Sequence, residues 1–395
     1  MQSWICCQLG AREHYAVPRA LKLAGLLDEF ITDLWIRPGT LLHKWKKPLS
    51  GRFHPGLEGA RVVAPNIPAL AFELNASLAR KNGWTLISRR NEWFQKRAVG
   101  QLAHNHNGNH TVFAYSYAAK RIFEFARERG WRTVLGQIDP GPAGERVVSG
   151  FQHTCPIAPT HWEPAPKVYW DNWRHECSLA DQILVNSGWS RDALIAEGIA
   201  AEKIRVIPLA YEAANDTSSF QRHYPRAFSA ERPLRVLFLG QVDLGKGVAQ
   251  LLDAVKLLSG KHVEFWFVGP MQIRVPQELK LHHHVRWFGV APRVSVESYY
   301  RDADVFIFPT LSDGFGLTQL EAQAWKLPVI ASRYCGEVVR DQVNGVVLGE
   351  VSGEAIAEVI RGFLGSPERL SAMSVRSGVD ERFSLPMLAR SLGDI

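Results

Sequence analysis

The sequence predicts an α/β protein built from two doubly wound domains. Three observations carry that prediction. At 395 residues the chain is long enough for two domains of ordinary size, each with ample core. Short apolar runs of strand length alternate with segments of helical length along most of it. The clearest unit joins Ala303–Phe308 (ADVFIF), which reads as a strand buried on both faces, to the stretch Pro309–Ser332. There, Thr310–Asp313 forms a polar turn and Gly314-Phe315-Gly316 leads into a helix over Leu317–Trp325. A second apolar run, Leu327–Ala331, then restarts the sheet. Strand, glycine loop, helix and strand make one parallel crossover.

The same alternation assigns the rest in order. Trp4–Cys7 reads as a first short strand, Gln8–Tyr15 as a loop holding Gly10, and Val17–Leu27 as a helix with Pro18 in its first turn. Phe30–Trp35 is the second strand. Leu41–Pro55 (LLHKWKKPLSGRFHP) and Arg89–Arg97 (RRNEWFQKR) mix aromatic and basic residues without clear periodicity. They suit either a solvated loop or a membrane interface. His104–His110 is rich in Asn and Gly, matches no standard metal spacing and reads as a loop, and His282–His284 as a polar segment between elements. Thr111–Ser116 and Thr133–Ile138 are strands around a helix, Ala118–Arg129. Asp139-Pro-Gly-Pro follows the second strand at its carboxyl end, the edge that faces the ligand crevice in open α/β sheets. Asp139 is therefore a candidate catalytic group, or a turn-former before proline.

Tyr169–Ala180 (helix), Gln182–Val185 (strand), Arg191–Glu197 (helix) and Lys203–Pro208 (strand) close the first half. Glu212–Pro233 lacks periodicity and reads as the connection. Leu234–Leu239 opens the second half, followed by Gly240-Gln-Val-Asp-Leu-Gly245-Lys246-Gly247, a helix over Val248–Leu258, and strands Glu264–Val268 and Val285–Gly289. The domain boundaries so placed are 1–215 and 234–375, joined by a linker over 216–233, with 376–395 as a closing segment.

Composition fits a water-exposed globular protein, 46% apolar and 22% charged. No apolar run approaches the roughly 20 residues that span a bilayer, and the start has no signal-peptide pattern. Five cysteines without CxxC spacing suggest neither a disulfide framework nor a zinc site, so a reducing cytoplasm is the expected compartment. The formal charge is +7, and residues 1–100 hold 15 Lys and Arg against 7 Asp and Glu. That basic half could face anionic lipid at the inner membrane surface, a phosphorylated acceptor, or simply solvent. No DNA- or RNA-binding motif accompanies it, so nucleic acid is not expected as a partner.

The chemistry concentrates at two turns. A helix start exposes unpaired N–H groups and favours anions, and Gly314 and Gly316 leave room for close approach to the main chain. Asp313 and Glu321 bracket that turn. Carboxylates accept from adjacent hydroxyls, as in sugar and ribose diols; Asp313 could also serve merely as a cap. Lys246, between glycines before a helix, can reach an anion at the other turn. It is no P-loop, because Gly247 stands where a Ser or Thr would hold Mg²⁺.

Asp313-GFGLTQL-Glu321 resembles the E-x7-E signature of family 4 retaining glycosyltransferases of GT-B fold, with Asp where Glu is usual. Glu176, Ala180-Asp181, Ser187, Ser190-Arg191, Gly198 and Lys203-Ile204…Val206-Ile207-Pro208 resemble that family's pattern at the close of its first domain. The resemblance implies two Rossmann-like domains facing across a cleft, with the closing helix (RFSLPMLARSL) packing back on the first. It implies sugar transfer, with retention, from a nucleoside diphosphate sugar to a carbohydrate or lipid-linked acceptor, as in cell-surface polysaccharide synthesis. It implies no required metal, the diphosphate being met by Lys246 and main chain. On this reading Glu321 binds ribose, and Asp313 holds the donor sugar together with Gly314, Phe315, Gly316, Leu317 and Thr318. Gly10, Arg12 and His14 lie on the acceptor or phosphate side, while Glu176 and Ser187 are structural. Two departures stand out. Gln241 replaces the family's diphosphate-clamping Arg, and Gln137 and Asp139 stand where a functional His is common. They keep open a non-catalytic protein that binds a nucleotide sugar or glycan. No nucleophile is evident, so same-face attack assisted by the leaving phosphate is expected.

Overall fold

Residues 3–40, 51–79, 82–105, 108–152, 155, 157, 162–213 and 217–395 are described by the computed structural model of the chain. The first sheet is formed by β1 (Ser3–Gln8), β2 (Leu27–Thr32), β3 (Val62–Val63), β4 (His110–Tyr115), β5 (Arg132–Gly136), β6 (Gln182–Val185) and β7 (Ile204–Val206). Their order is β3-β2-β1-β4-β5-β6-β7, and every pair is parallel. The second is formed by β8 (Leu234–Leu239), β9 (Val263–Val268), β10 (Val285–Gly289), β11 (Val305–Phe308), β12 (Val329–Ser332) and β13 (Gly345–Leu348). Its order is β10-β9-β8-β11-β12-β13, again parallel throughout. β4 and β9 are buried along their whole length, as parallel strands covered by helices on both faces must be.

Helices α1 (Ala16–Leu23), α2 (Asn66–Leu78), α3 (Gly83–Asn105), α4 (Lys120–Glu128), α5 (Pro142–Gln152), α6 (Lys167–Leu179) and α7 (Gly188–Ala196) flank the first sheet. The second carries α8 (Val248–Leu257), α9 (Gln277–Lys280), α10 (Arg293–Asp302), α11 (Thr318–Ala324), α12 (Gly353–Gly365) and α13 (Pro367–Val375). The last helix, α14 (Leu385–Gly393), returns to the first sheet. Its Leu388, Ala389 and Leu392 share a core with Trp4, Tyr15 and Leu21 of that domain.

Several expectations need correction. α1 stops at Leu23 rather than Leu27, and β2 starts three residues before Phe30. Gly25, at φ +70°, ends the helix with paired bonds from Gly25 N–H to Lys22 (3.0 Å) and Leu26 N–H to Leu21 (2.9 Å). Leu27 can then pair with Trp4. Arg89–Arg97 is no loop: it lies inside α3, whose Phe94, Ala98 and Leu102 recur every fourth residue and enter the core. Residues 41–50 of the other basic-aromatic stretch lie outside the described residues. So does His106; His104 lies in the last turn of α3, and His110 begins β4, bonded to Ser3 Oγ at 2.8 Å. The connection before β8 is not loose where it is described, since Arg222 donates to the carbonyls of Tyr300, Arg301, Ala303 and Trp325 in the second domain. At the junction of α10 with β11, the buried Asp304 pairs with the partly exposed Arg232.

Candidate active site

Each sheet reverses its order once, between β1 and β4 and between β8 and β11. At such switch points the loops after the two strands diverge and leave a crevice at their carboxyl ends. The loops here are Leu9–Tyr15 after β1, Gly240–Gly247 after β8 and Pro309–Leu317 after β11. They face one another between the domains.

A cavity of about 300 Å³ lies at this junction, walled by Arg12 and Glu13 from the first domain and by Gly240, Lys246, Asp313, Gly316, Leu317 and Thr318 from the second. Lys246 Nζ is bonded to Asp313 Oδ2. Burial alone would push Lys246 down, but the Asp313 carboxylate more than offsets that and raises it above the usual lysine range. The other oxygen of Asp313 accepts from Phe315 N–H at 3.1 Å, so the carboxylate is fixed at both ends. Arg12, exposed and 5.9 Å from the Tyr115 ring centre, forms no ion pair among the described residues. Two cations from opposite domains thus border one space.

A second cavity of about 310 Å³ adjoins the first through Glu13 and Leu317, and holds His14, Tyr300 and Glu321. Tyr300, on α10, donates to Glu321 Oε2 at 2.7 Å. Burial and then the neighbouring Glu321 charge hold that phenol well above its ordinary value. The pairing orients Glu321 and leaves Oε1 for another donor.

On the other side, sharing Arg12 and Ile138 with the first cavity, lies a space of about 740 Å³ in the first domain. Gly10, Trp84, Trp93, Tyr117, Asp139 and Tyr169 are among its walls. Asp139 Oδ1 accepts from the Tyr117 hydroxyl at 2.5 Å and from Gly141 N–H at 2.8 Å. Burial raises the Asp139 carboxyl, with those bonds and Arg12 opposing. Tyr117 sits at φ +74°, uncommon for a bulky side chain, and stacks on Tyr169 with ring centres 4.8 Å apart.

The structure therefore gathers Lys246, Asp313, Gly316, Leu317, Thr318, Glu321, Arg12 and His14 around two joined cavities, with Gly10 and Asp139 on the third. Two of the expected site residues, Gln241 and Gly314, serve differently from expectation, while Gly316 and Phe315 reach the cavity as expected. Gln241 is exposed and off the cavity walls. Gly314 makes no space for a ligand: a Cβ there would lie 2.2 Å from the Ile138 carbonyl, so its bareness lets the domains touch. Gly316, at φ +83°, would press a Cβ into the Phe308 ring. The Phe315 ring is core, packed with Leu320, Val338 and Phe383, leaving only its main chain to the cavity. α11 is also short, beginning at Thr318, and its first i→i−4 bond runs from Glu321 N–H to Leu317 (3.1 Å). Its dipole is correspondingly small, and side-chain cations carry more of any anion's charge than expected.

Glu176 and Ser187 are structural. Glu176 accepts from the N–H groups of Tyr117, Ala119 and Lys120 at 2.6–3.1 Å, and Ser187 caps α7. The place of the expected His is filled by Gln137, held between Trp173 Nε1 (2.9 Å) and Tyr117. Glu337 accepts from Gly188 N–H at 2.8 Å across the interface. Glu13 and Tyr300 were not foreseen. A Glu between Arg12 and His14 carries no signal of its own, and Tyr300 stands on a helix far from any glycine turn.

Residues 233–366 match the family described as glycosyl transferases group 1. Over 287 residues the chain is 27% identical to a D-inositol 3-phosphate glycosyltransferase of Catenulispora acidiphila, covering 66% of this chain and 65% of that protein. To the amylovoran biosynthesis glycosyltransferase AmsK of Erwinia amylovora it is 25% identical over 219 residues, 51% of this chain and 52% of that one. The match thus spans between half and two thirds of these relatives. Among solved structures, Anabaena Alr3699/HepE in complex with UDP aligns over 100% of this chain and 99% of its own, with 14% identity and a TM-score of 0.63. The fold is that of the GT-B glycosyltransferases, as the motifs implied. Among the described residues no helix is long and apolar enough to cross a membrane.

Proposed function

We propose that the chain is a glycosyltransferase that moves a sugar, with retained anomeric configuration, from a nucleoside diphosphate sugar to a glycan or lipid-linked acceptor in polysaccharide synthesis. One observation carries the reading: Arg12 and Lys246, from opposite domains, border a single cavity that opens onto Glu321. The similarity to AmsK, and the UDP held by the HepE structure, support it.

On this reading the diphosphate lies between Arg12 and Lys246, near the N–H groups of Gly316–Thr318. Arg12 supplies the charge that Gln241 does not, which weighs against a non-catalytic binding protein. Glu321 takes the ribose hydroxyls and Asp313 the donor sugar. Positive groups fixed in a half-buried cleft act where charge develops as the bond to the diphosphate breaks, which is usually the largest catalytic contribution. Such cations can fill the role a divalent metal plays elsewhere, so we place no metal in the reaction. No carboxylate is placed as a nucleophile; the acceptor hydroxyl attacks the face the diphosphate leaves, with Asp139 nearest the acceptor cavity to receive a proton.

Membrane contact belongs to the same proposal. α2 exposes Ile67, Leu74 and Leu78, which at i, i+7 and i+11 form one stripe, while its Ala69, Leu70 and Phe72 wall the acceptor cavity behind. With the basic first hundred residues, that face suits an anionic lipid surface.

The test is a thermal-shift screen against UDP, GDP and their sugars, followed by donor turnover. A ligand that binds only the native state raises its melting temperature. A shift with a nucleoside diphosphate, and turnover lost in Lys246→Ala and Glu321→Ala while both stay folded, is expected. Wild-type turnover in both variants would refute the assignment.

A further inference from the structure

Among the described residues the loop after β1 contains the longest run of left-handed non-glycine backbone. Glu13 (φ 50°, ψ 33°), His14 (φ 50°, ψ 37°) and Tyr15 (φ 60°, ψ 34°) are three consecutive non-glycine residues in the left-handed region. L-residues other than glycine adopt that conformation at a cost, and as a rule singly. Strain of this kind persists where surrounding structure over-determines it, and it gathers at ligand sites. Tyr15 supplies the over-determination: it is buried, with edge-on contacts to Phe30 (5.5 Å) and Trp35 (5.3 Å). Seating Tyr15 does not explain what the turn does with Glu13.

Among the described residues Glu13 is the only charged side chain common to the two adjoining cavities, one bordered by Lys246 and Arg12, the other by Glu321. Its Oε2 accepts from the Tyr115 hydroxyl at 3.1 Å. An anionic carboxylate at this place opposes a diphosphate, whereas a carboxylic acid offers it a hydrogen bond. Burial raises the Glu13 carboxyl to about 7, with the Tyr115 bond and Arg12 pulling the other way. The charged and titratable groups facing it are Arg12 beside it, Cys6 of β1, Tyr115 of β4, the Lys246–Asp313 pair, and, around the second cavity, His14, Arg19 with Glu212, His54, Tyr211, Glu297, and Glu321 with Tyr300.

Building on the functional reading above, we propose that Glu13 contacts the donor as a neutral acid, giving a hydrogen bond to the nucleoside diphosphate where its phosphates meet the ribose, so that donor binding takes up a proton. Binding stabilises the protonated form. Affinity is therefore full below the pH at which Glu13 ionises in the free protein and falls above it, by up to tenfold per pH unit. Glu13→Gln keeps a neutral donor in the same place and has no proton to lose.

The experiment is calorimetric titration with UDP and GDP from pH 6 to 8.5, on wild type and Glu13→Gln, in two buffers of different ionisation enthalpy. The inference expects wild-type affinity to fall with rising pH more steeply than that of Glu13→Gln. It also expects a buffer-dependent heat in wild type near neutrality that reports proton uptake. Binding with identical pH profiles in the two proteins, or no proton uptake beyond that of the nucleotide, overturns this inference alone. Failure of both proteins to bind either nucleotide at pH 6 overturns the functional reading as well.

Discussion

Replacing Asp313 with Asn should separate donor binding from transfer, because in the free protein Asp313 occupies the cation proposed to hold the diphosphate. Lys246 Nζ is bonded to the Asp313 carboxylate, and the two side chains are 26% and 19% exposed. Opposite unit charges about 4 Å apart interact by roughly 4 kcal/mol at the effective dielectric of such partly exposed pairs. Solvent screening and replacement of the carboxylate by an amide that still accepts leave a net effect on the order of 1–2 kcal/mol. Freed of that partner, Lys246 should bind UDP or GDP roughly 5–30-fold more tightly. Transfer should nevertheless be lost, since Asp313 is assigned to the sugar. The assay is titration calorimetry of the two nucleotides beside turnover of the matching nucleotide sugar. Lys246→Ala should do the opposite, weakening nucleotide binding and leaving the Asp313 charge facing the phosphates. An Asp313→Asn protein that binds nucleotide no better than wild type, or worse, would show that Lys246 does not meet the diphosphate.

Other outcomes follow from the same geometry. Tyr300→Phe removes the 2.7 Å bond that orients Glu321; donor KM should rise roughly 3–10-fold with kcat little changed, as read from steady-state kinetics. Gly247→Ala must hold a Cβ 1.9 Å from the Pro309 carbonyl at φ +70°, and its melting temperature should fall by roughly 5–10 °C. Gly314→Val sets a branched side chain against the Ile138 carbonyl, so the radius of gyration by solution scattering should increase while far-ultraviolet dichroism is unchanged. Turnover should survive excess EDTA, because Arg12 and Lys246 meet the leaving charge; abolition restored by Mg²⁺ or Mn²⁺ would contradict that assignment.

The strands were legible because they are buried on both faces and therefore read as continuous apolar runs. Lys246, Asp313 and Glu321 were legible because glycine turns mark the loops that carry them. What failed was of three kinds. The end of α1 was misplaced because Leu26-Leu27 prolongs the apolar stripe past Gly25, whose left-handed cap is the true stop. Arg89–Arg97 hid a helix because its charges cover the outer face and only every fourth residue enters the core. Gly314 was read as space for a ligand when its neighbour is the Ile138 carbonyl of the other domain, a contact between residues far apart in sequence. For the same reason Arg12 could be assigned to the acceptor or phosphate side but not placed beside Lys246. Glu13 had no signal at all: its place between two cavities follows from a left-handed turn that no residue preference announces.

The account turns on where a nucleoside diphosphate sits. The most direct measurement is a crystal structure of the chain soaked with the nucleotide sugar that shifts its melting temperature. The account predicts phosphate oxygens within bonding distance of Lys246 and Arg12, and ribose hydroxyls on Glu321. A nucleotide bound elsewhere, with the Lys246–Asp313 pair intact and the cavity between the domains empty, would contradict it.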